Sequence, residues 1–343
     1  MPFQVTIKPS EHVFSVEPGE AILGAALRQG FTLPYGCRNG ACGSCKGKIL
    51  QGTVDYGVYQ ESALSETEKL SGMALFCQSK PHSDLVIECR EINAVKDIQI
   101  RKLPCRLQKI ERPVDDVMVL YLKLPANERL QFLAGQYIDI LIKDGKRRSF
   151  SMANPPHDDE HIQLHVRNIT GGAFTDYVFN KMKEREILRF EGPLGTFFLR
   201  EDSDKPIIFV ASGTGFAPIK GIIEHAFYKS IKREMVLYWG ARKLTDLYMQ
   251  QLPLQWAREH GNFSFVPVLS DAIPEDNWQG RTGFVHRAVM EDFTDMSGFQ
   301  VYACGAPVMV EAARKDFTSL CKLSPEEFNS YAFTFSNDPK PAA

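Results

Sequence analysis

The residues in this chain best suited to chemistry are four thiols. Cys37, Cys42 and Cys45 crowd into "YGCRNGACGSCKGKI" (Tyr35–Ile49), and Cys77 follows at a distance. The spacing C-x4-C-x2-C…C is that of plant-type [2Fe–2S] sites and differs from the C-x2-C pairs of zinc ribbons. Each ligand to such a cluster is a thiolate, so the site concentrates negative charge around its irons. Glycines 36, 40, 43 and 47 are expected to let the backbone wrap the cluster closely and turn N–H groups toward sulfur. A zinc ion or a set of free buried cysteines is the competing account of these residues. Cys89, Cys105 and Cys321 lie outside the pattern and read as small core residues.

A second group lies in "RRSFSMAN" (Arg147–Asn154). A guanidinium there can pair with a pyrophosphate, an aromatic ring can stack on a flavin, and a hydroxyl can approach the reactive ring nitrogen. Taken alone, the stretch is an ordinary basic strand end. It gains meaning from "HVRNITGGAFTDYV", where Gly171 and Gly172 lead into a helix start and Thr175 lies beside N–H groups suited to phosphate. "EGPLGTF" (Glu191–Phe197) is expected as a third turn bordering the same site, although a plain Pro-Gly turn looks identical.

A third group begins at "SGTGFAP" (Ser212–Pro218), which follows an apolar strand and opens a helix. Gly213 and Gly215 permit close backbone approach to a pyrophosphate, and Pro218 suits a first helical turn. The third glycine of G-x-G-x-x-G is missing, so the context of strand, turn and helix carries the argument. "WGAR" (Trp239–Arg242) and "ACGAP" (Ala303–Pro307) also sit just past strand ends, where open α/β sheets bind ligands. Cys304 reads equally well as one more buried thiol.

The elements that must hold these groups change character twice along the chain. Residues 1–93 begin with a hairpin, Phe3–Lys8 and Val13–Val16, followed by the helix "EAILGAALRQ", the cysteine loop, strand "GKIL", a capping box at "SETE" and strand "LVIEC". Residues 101–201 contain short alternating strands, "VMVLYLKL", "QYIDILI", "RSFSMA" and "IQLHVRN", as in a small antiparallel barrel. Residues 205–335 alternate strands ("IIFVA", "EMVLYWG", "FSFVPVL", "FQVYACG") with helical stretches, the pattern of a doubly wound parallel sheet. The fold class is thus multidomain α+β and α/β. The tail "SNDPKPAA" fits no motif and is expected to be disordered.

A net charge of −2 over 343 residues gives no bulk attraction for nucleic acid or a membrane surface. No apolar leader and no membrane-length apolar run is visible, so the cysteines are read in a reducing cytoplasm, where structural disulfides are rare.

Together the three motif groups resemble the ferredoxin–NAD(P)H reductase superfamily, and within it the one-chain reductases with an N-terminal plant-type ferredoxin domain. Those proteins serve aromatic-ring oxygenases, phenol and methane monooxygenases, and the dehydratase of CDP-hexoses. The wording of "LPYGCRNGACGSCKGKI" and "WGARKLTDLY" is most similar to the CDP-6-deoxy-3,4-glucoseen reductase type. The resemblance implies a β-grasp ferredoxin domain, an FAD-binding β-barrel and an NAD-binding domain. It makes Cys37, Cys42, Cys45 and Cys77 the cluster ligands. Arg148 would hold the FAD pyrophosphate, Phe150 would lie on the flavin and Ser151 would approach N5, with Ser149, Val166 and Arg167 alongside. Gly172 and Thr175 would contact the FAD phosphates. Gly213, Thr214, Gly215, Pro218 and Gly305 would border the dinucleotide, with Cys304 near the nicotinamide and Phe333 over the flavin. Position 150 is usually Tyr in the family, so a hydroxyl contact is absent here.

The resemblance implies that NADH supplies electrons in pairs, that FAD accepts them, and that the [2Fe–2S] cluster passes them singly to a partner protein, either a dehydratase or an oxygenase component. No side chain needs to act as general acid or base in such a sequence. NADPH-using relatives commonly have Ser-Arg where this chain has Ser270-Asp271, which implies NADH rather than NADPH, with Arg242 close by as a possible 2′-phosphate partner. A non-catalytic nucleotide-binding redox sensor with a zinc-bound cysteine loop is the alternative of another class.

Overall fold

The computed structural model describes residues 1–95, 97–142 and 145–333, and the tail after Phe335 lies outside them. Two compact units emerge, one from Met1–Gln99 and the other from Ile100–Phe333.

The first unit contains β1 (Phe3–Lys8), β2 (Val13–Val16), α1 (Ile22–Arg28), β3 (Lys46–Gln51), β4 (Val54–Asp55), α2 (Glu66–Leu70), β5 (Met73–Leu75), β6 (Lys80–Pro81) and β7 (Leu85–Glu88). Its main sheet runs β2-β1-β7-β3-β5, with β1 and β7 parallel inside otherwise antiparallel neighbours. One face is apolar: Val5, Ile7, Val16 and Ile87 are fully buried, and Ile22, Ala25 and Ala26 of α1 pack among the buried residues. Helix α2 begins at the expected capping box, where Ser65 accepts from Glu68 N–H and Glu68 accepts from Ser65 N–H at 2.9 Å.

The second unit opens with β8 (Arg101–Val114), β9 (Val117–Lys123), β10 (Tyr137–Leu141), β11 (Arg147–Ser151), β12 (Ile162–Arg167), α3 (Ala173–Asn180) and β13 (Ile187–Leu194). These strands run β11-β10-β13-β8-β9-β12, all antiparallel. A bridge between Met152 and Leu164 joins the two ends and closes the barrel around a core that includes Leu107, Leu120, Ile138, Leu164 and Phe190. "EGPLGTF" is not the turn expected from its Gly-Pro pair, because Glu191–Leu194 belongs to β13 and pairs with β8 and β10. Gly192 is required there by packing, since a Cβ would stand 2.7 Å from Ile138 Cγ2.

The rest of this unit is β14 (Ile207–Ser212), α4 (Phe216–Tyr228), β15 (Met235–Ala241), α5 (Gln251–Glu259), β16 (Phe263–Leu269), β17 (Arg281–Thr282), α6 (Val285–Asp292), β18 (Gln300–Gly305), α7 (Pro307–Leu320) and β19 (Phe328–Ala332). All six strands are parallel, in the order β17-β16-β15-β14-β18-β19. The connections leave β14 in opposite directions, so the switch point that generates a ligand crevice lies between the ends of β14 and β18. No helix among the described residues is long and apolar enough to cross a membrane.

The barrel and the parallel sheet are tied where the chain passes from one to the other. Arg233, buried at the base of β15, donates to the carbonyls of Arg200 (2.9 Å) and Lys205 and to Gln300 Oε1 (2.9 Å). Replacement by Met keeps the bulk but removes three charge-assisted bonds from a dry site, a loss of about 2–4 kcal/mol. At roughly 2–4 °C per kcal/mol for a unit of this size, thermal denaturation of Arg233→Met is expected to show a clearly lowered midpoint. A wild-type midpoint would contradict this role.

Candidate functional site

The cysteine loop leaves α1 and returns through β3, and Cys77 approaches it from the end of β5. The thiols meet in two pairs, Cys37 with Cys42 and Cys45 with Cys77. Hydrogen bonds polarise each pair. The Cys42 thiol is drawn below the ordinary thiol range by its bond with Cys37, helped by Cys37 N–H at 3.3 Å and by Ser44. Cys77 is lowered by its bond with Cys45, by Gly40 N–H and by Gln78 Nε2. The same bonds, with burial, raise Cys37 and Cys45.

This donor set fits a two-iron cluster, in which each iron takes two thiolates. Gly40 has φ +76°, and a Cβ there would stand 2.7 Å from the Val58 carbonyl, so only glycine lets this N–H face the Cys77 sulfur. Gly47 has a different role from the wrapping expected of it: it lies in β3 with the Phe76 ring over the missing Cβ. Arg38 adopts φ 59° within the loop, and its carbonyl accepts from Gln78 Nε2 at 3.2 Å. Nothing in the sequence distinguishes that arginine.

The flavin-type residues sit on β11, the edge strand of the barrel sheet. Alternation separates them. Phe150 packs against the barrel core and the Phe174 ring of α3 (5.5 Å between centroids), on the side shared with Arg148. Ser149 and Ser151 take the other side. Ser149 donates to the buried Asp139 at 2.5 Å, whereas the Ser151 hydroxyl is buried without a hydrogen-bond partner. A ring nitrogen placed at Ser151 would satisfy that orphaned hydroxyl. Burial lowers the pKa of Arg148, a cost that an anionic partner would reverse.

Gly172 caps α3, and Thr175 Oγ1 lies 3.1 Å from the Ile169 carbonyl and 3.0 Å from the Gly172 carbonyl. The threonine therefore secures the turn that would present backbone N–H groups to phosphate. Val166 is fully buried in the barrel core, so only its backbone can meet a cofactor. Arg167 pairs with Asp116 at 3.1 Å and lies beside Gly213 of the dinucleotide-type loop.

At the switch point the two loops touch. A Cβ on Gly215 would stand 2.1 Å from the Cys304 carbonyl oxygen, and one on Gly305 would stand 2.1 Å from Ser212 Oγ. Ser212 Oγ accepts from Ala306 N–H at 2.9 Å. Thr214 is buried inside the turn, and Pro218 in the first turn of α4. Cys304 is fully buried, and burial raises its thiol well above the ordinary range.

Phe333 N–H donates to the Gly305 carbonyl at 2.8 Å, which brings this residue beside the crevice. Sequence reasoning missed the link between the two halves. Tyr137, directly opposite Ser151 in the barrel, stacks on Tyr331, directly opposite Cys304 in the parallel sheet, at 5.3 Å and 11°. Ser151 and Cys304 thus each pair, across one strand, with a residue of this stack.

At the outer strand ends, Asp271 N–H donates to the Arg242 carbonyl at 2.9 Å, and both side chains are exposed. Phe284, exposed at the start of α6 just past β17, is a further aromatic on this edge that the sequence reading passed over.

Comparison with known proteins agrees with this three-part reading. Residues 5–82 match a 2Fe-2S iron-sulfur cluster binding domain, 104–199 an oxidoreductase FAD-binding domain, and 209–315 an oxidoreductase NAD-binding domain. The chain is 41% identical to the CDP-6-deoxy-L-threo-D-glycero-4-hexulose-3-dehydrase reductase of Yersinia pseudotuberculosis, covering 97% of this chain and 99% of that one. It is 37% identical to the reductase component DmpP of phenol 2-monooxygenase from a Pseudomonas species, over 91% and 89% of the two chains. The crystal structure of the Amycolatopsis cytochrome P450 reductase GcoB superposes with a TM-score of 0.78 at 35% identity, over 97% and 99%.

Gly215→Ala tests the contact at the switch point. Its Cβ has no room against the Cys304 backbone, so the two loops must part. Calorimetric affinity for NAD+ is expected to fall by about tenfold or more, while the FAD content stays at the wild-type level. Unchanged affinity would show that the close approach has no bearing on dinucleotide binding.

Proposed function

Because the chain belongs to the reductases that join a [2Fe–2S] ferredoxin domain to FAD- and NAD-binding domains, we propose that its electron acceptor is a CDP-hexulose dehydratase. The family activity carries electrons from NADH through FAD to the cluster and on to a partner protein. FAD, when bound, supplies the exchange between electron pairs and single electrons. The observation that carries the choice of acceptor is the 41% identity, over nearly the full length of both chains, to a reductase named for that dehydrase. A phenol 2-monooxygenase reductase component at 37% identity makes an oxygenase component the second reading.

In this reading residues 1–93 form the cluster domain, with Cys37, Cys42, Cys45 and Cys77 as ligands. Residues 101–201 hold FAD: Arg148 faces the pyrophosphate, the turn at Gly172 and Thr175 offers N–H groups to phosphate, and Ser151 satisfies its hydroxyl at the ring. Residues 205–335 hold NADH, with Gly213–Gly215 against the pyrophosphate and Phe333 beside the nicotinamide crevice. Eight cysteines with no disulfide among them suit a reducing cytoplasm as the place of work.

Adding the purified dehydratase and its sugar substrate is expected to start NADH consumption that an oxygenase component does not. Cys42→Ser should lose that activity and keep NADH-driven ferricyanide reduction, because the domains are separate units. Stimulation by an oxygenase component alone would overturn the choice of acceptor.

Asp271 leads us to propose NADH as the preferred reductant. Its carboxylate can accept from the ribose hydroxyls, whereas a 2′-phosphate would face like charge at an exposed site. That is a penalty on the order of 1–3 kcal/mol, or one to two decades in kcat/KM. Steady-state rates with both nucleotides check this, and Asp271→Arg is expected to narrow the gap. Equal kcat/KM in the wild type would refute the assignment.

A further inference from the structure

The outward face of β12 forms a polar ladder against the parallel-sheet half of its unit. Ile162, Leu164 and Val166 point into the barrel core, so Gln163, His165 and Arg167 point away from it. Gln163 Oε1 accepts from Lys220 Nζ of α4 at 3.1 Å. Arg167 approaches Asp246 at 3.9 Å and lies beside Gly213. Between them, His165 Nδ1 meets the Tyr248 hydroxyl at 2.7 Å.

Both members of this pair are buried. Burial, with the Lys220 charge nearby, pushes His165 down to about 3, so the imidazole is neutral. Tyr248 keeps its proton, because burial raises it well above the ordinary range. The phenol therefore has a proton to donate, and the assigned tautomer carries its N–H on Nε2. That Nε2 is buried without a hydrogen-bond partner. A site chosen for stability alone would be filled by an apolar pair, since an unpaired buried polar atom carries a cost.

From Tyr248 the contacts lead to the dinucleotide loop. Its ring meets Trp239 edge-on at 5.3 Å, Trp239 stacks on Phe216 at 4.0 Å, and Trp239 Nε1 donates to the Gly213 carbonyl at 3.0 Å. We infer that His165 and Tyr248 are positioning residues for hydride delivery: they pin the Gly213 loop to the barrel strand and so set the distance from nicotinamide to flavin. The inference rests on the NADH-to-FAD reading above. Reacting atoms must approach to about 3–3.5 Å, so a pin that slips affects the rate of transfer before it affects affinity.

Tyr248→Phe removes one hydroxyl and leaves the ring. In anaerobic stopped-flow the limiting rate of flavin reduction at saturating NADH is expected to fall about tenfold or more, with the Kd for NADH and the FAD content within about twofold of wild type. In the apoprotein, hydrogen exchange of the Gly213–Phe216 amides should quicken while β8 and β9 stay protected. The double variant His165→Phe/Tyr248→Phe separates positioning from stability. Restored stability with slow flavin reduction supports the inference; restored stability with a wild-type rate overturns it. A Tyr248→Phe enzyme with an unchanged limiting rate, or one whose loss falls on Kd, also overturns it. A wild-type protein whose flavin NADH fails to bleach refutes the underlying functional reading instead.

Discussion

A hydride passes only between atoms in contact, and in the proposed function the two atoms would belong to molecules held by different folds. The barrel offers Ser151 on one edge, and the parallel sheet offers the crevice between β14 and β18. In the proposed function neither half could perform the reaction alone, and the interface between them would be part of the active site. The structure brings the halves into register by different physical means. Tyr137 and Tyr331 stack across the boundary, His165 and Tyr248 share a buried hydrogen bond, and Arg233 gathers the carbonyls of the connecting segment. Stacking tolerates sliding, whereas a buried hydrogen bond fixes direction, so together they restrict both distance and angle.

The ferredoxin unit obeys a separate constraint, the accumulation of negative charge on sulfur. The loop responds with backbone and amide N–H groups: Cys37 N–H, Gly40 N–H and Gln78 Nε2 all aim at cysteine sulfur. This requires a backbone path that few residues can follow. Glycine provides it at position 40, and Arg38 enters the left-handed region without that freedom, a sign of strain held by the surrounding loop.

Much of this was legible in the sequence where the signal is local. The hairpin Phe3–Lys8 with Val13–Val16, the capping box at Ser65 and the strand-turn-helix at Ser212–Pro218 depend on residues close in the chain. Strand β8 escaped the pattern search because Pro104 sits among the alternating Leu103, Cys105 and Leu107 and two bulges break its register. "EGPLGTF" misled because Gly192 answers to the Ile138 side chain, a contact far along the chain. Tyr137, Tyr331, His165 and Tyr248 were illegible for the same reason. Each looks like an ordinary strand or loop residue until two domains are placed together.

The central claim is that one polypeptide draws electrons from NADH and delivers them to an iron–sulfur cluster. The most direct measurement is anaerobic titration of the purified protein with NADH, followed by visible absorption and low-temperature electron paramagnetic resonance. The account predicts iron and labile sulfide in equal amounts, each twice the flavin, with the flavin bleaching and a reduced [2Fe–2S] signal growing as NADH is added. A colourless protein that contains zinc, or a flavin that NADH bleaches while the cluster stays oxidised, would contradict it.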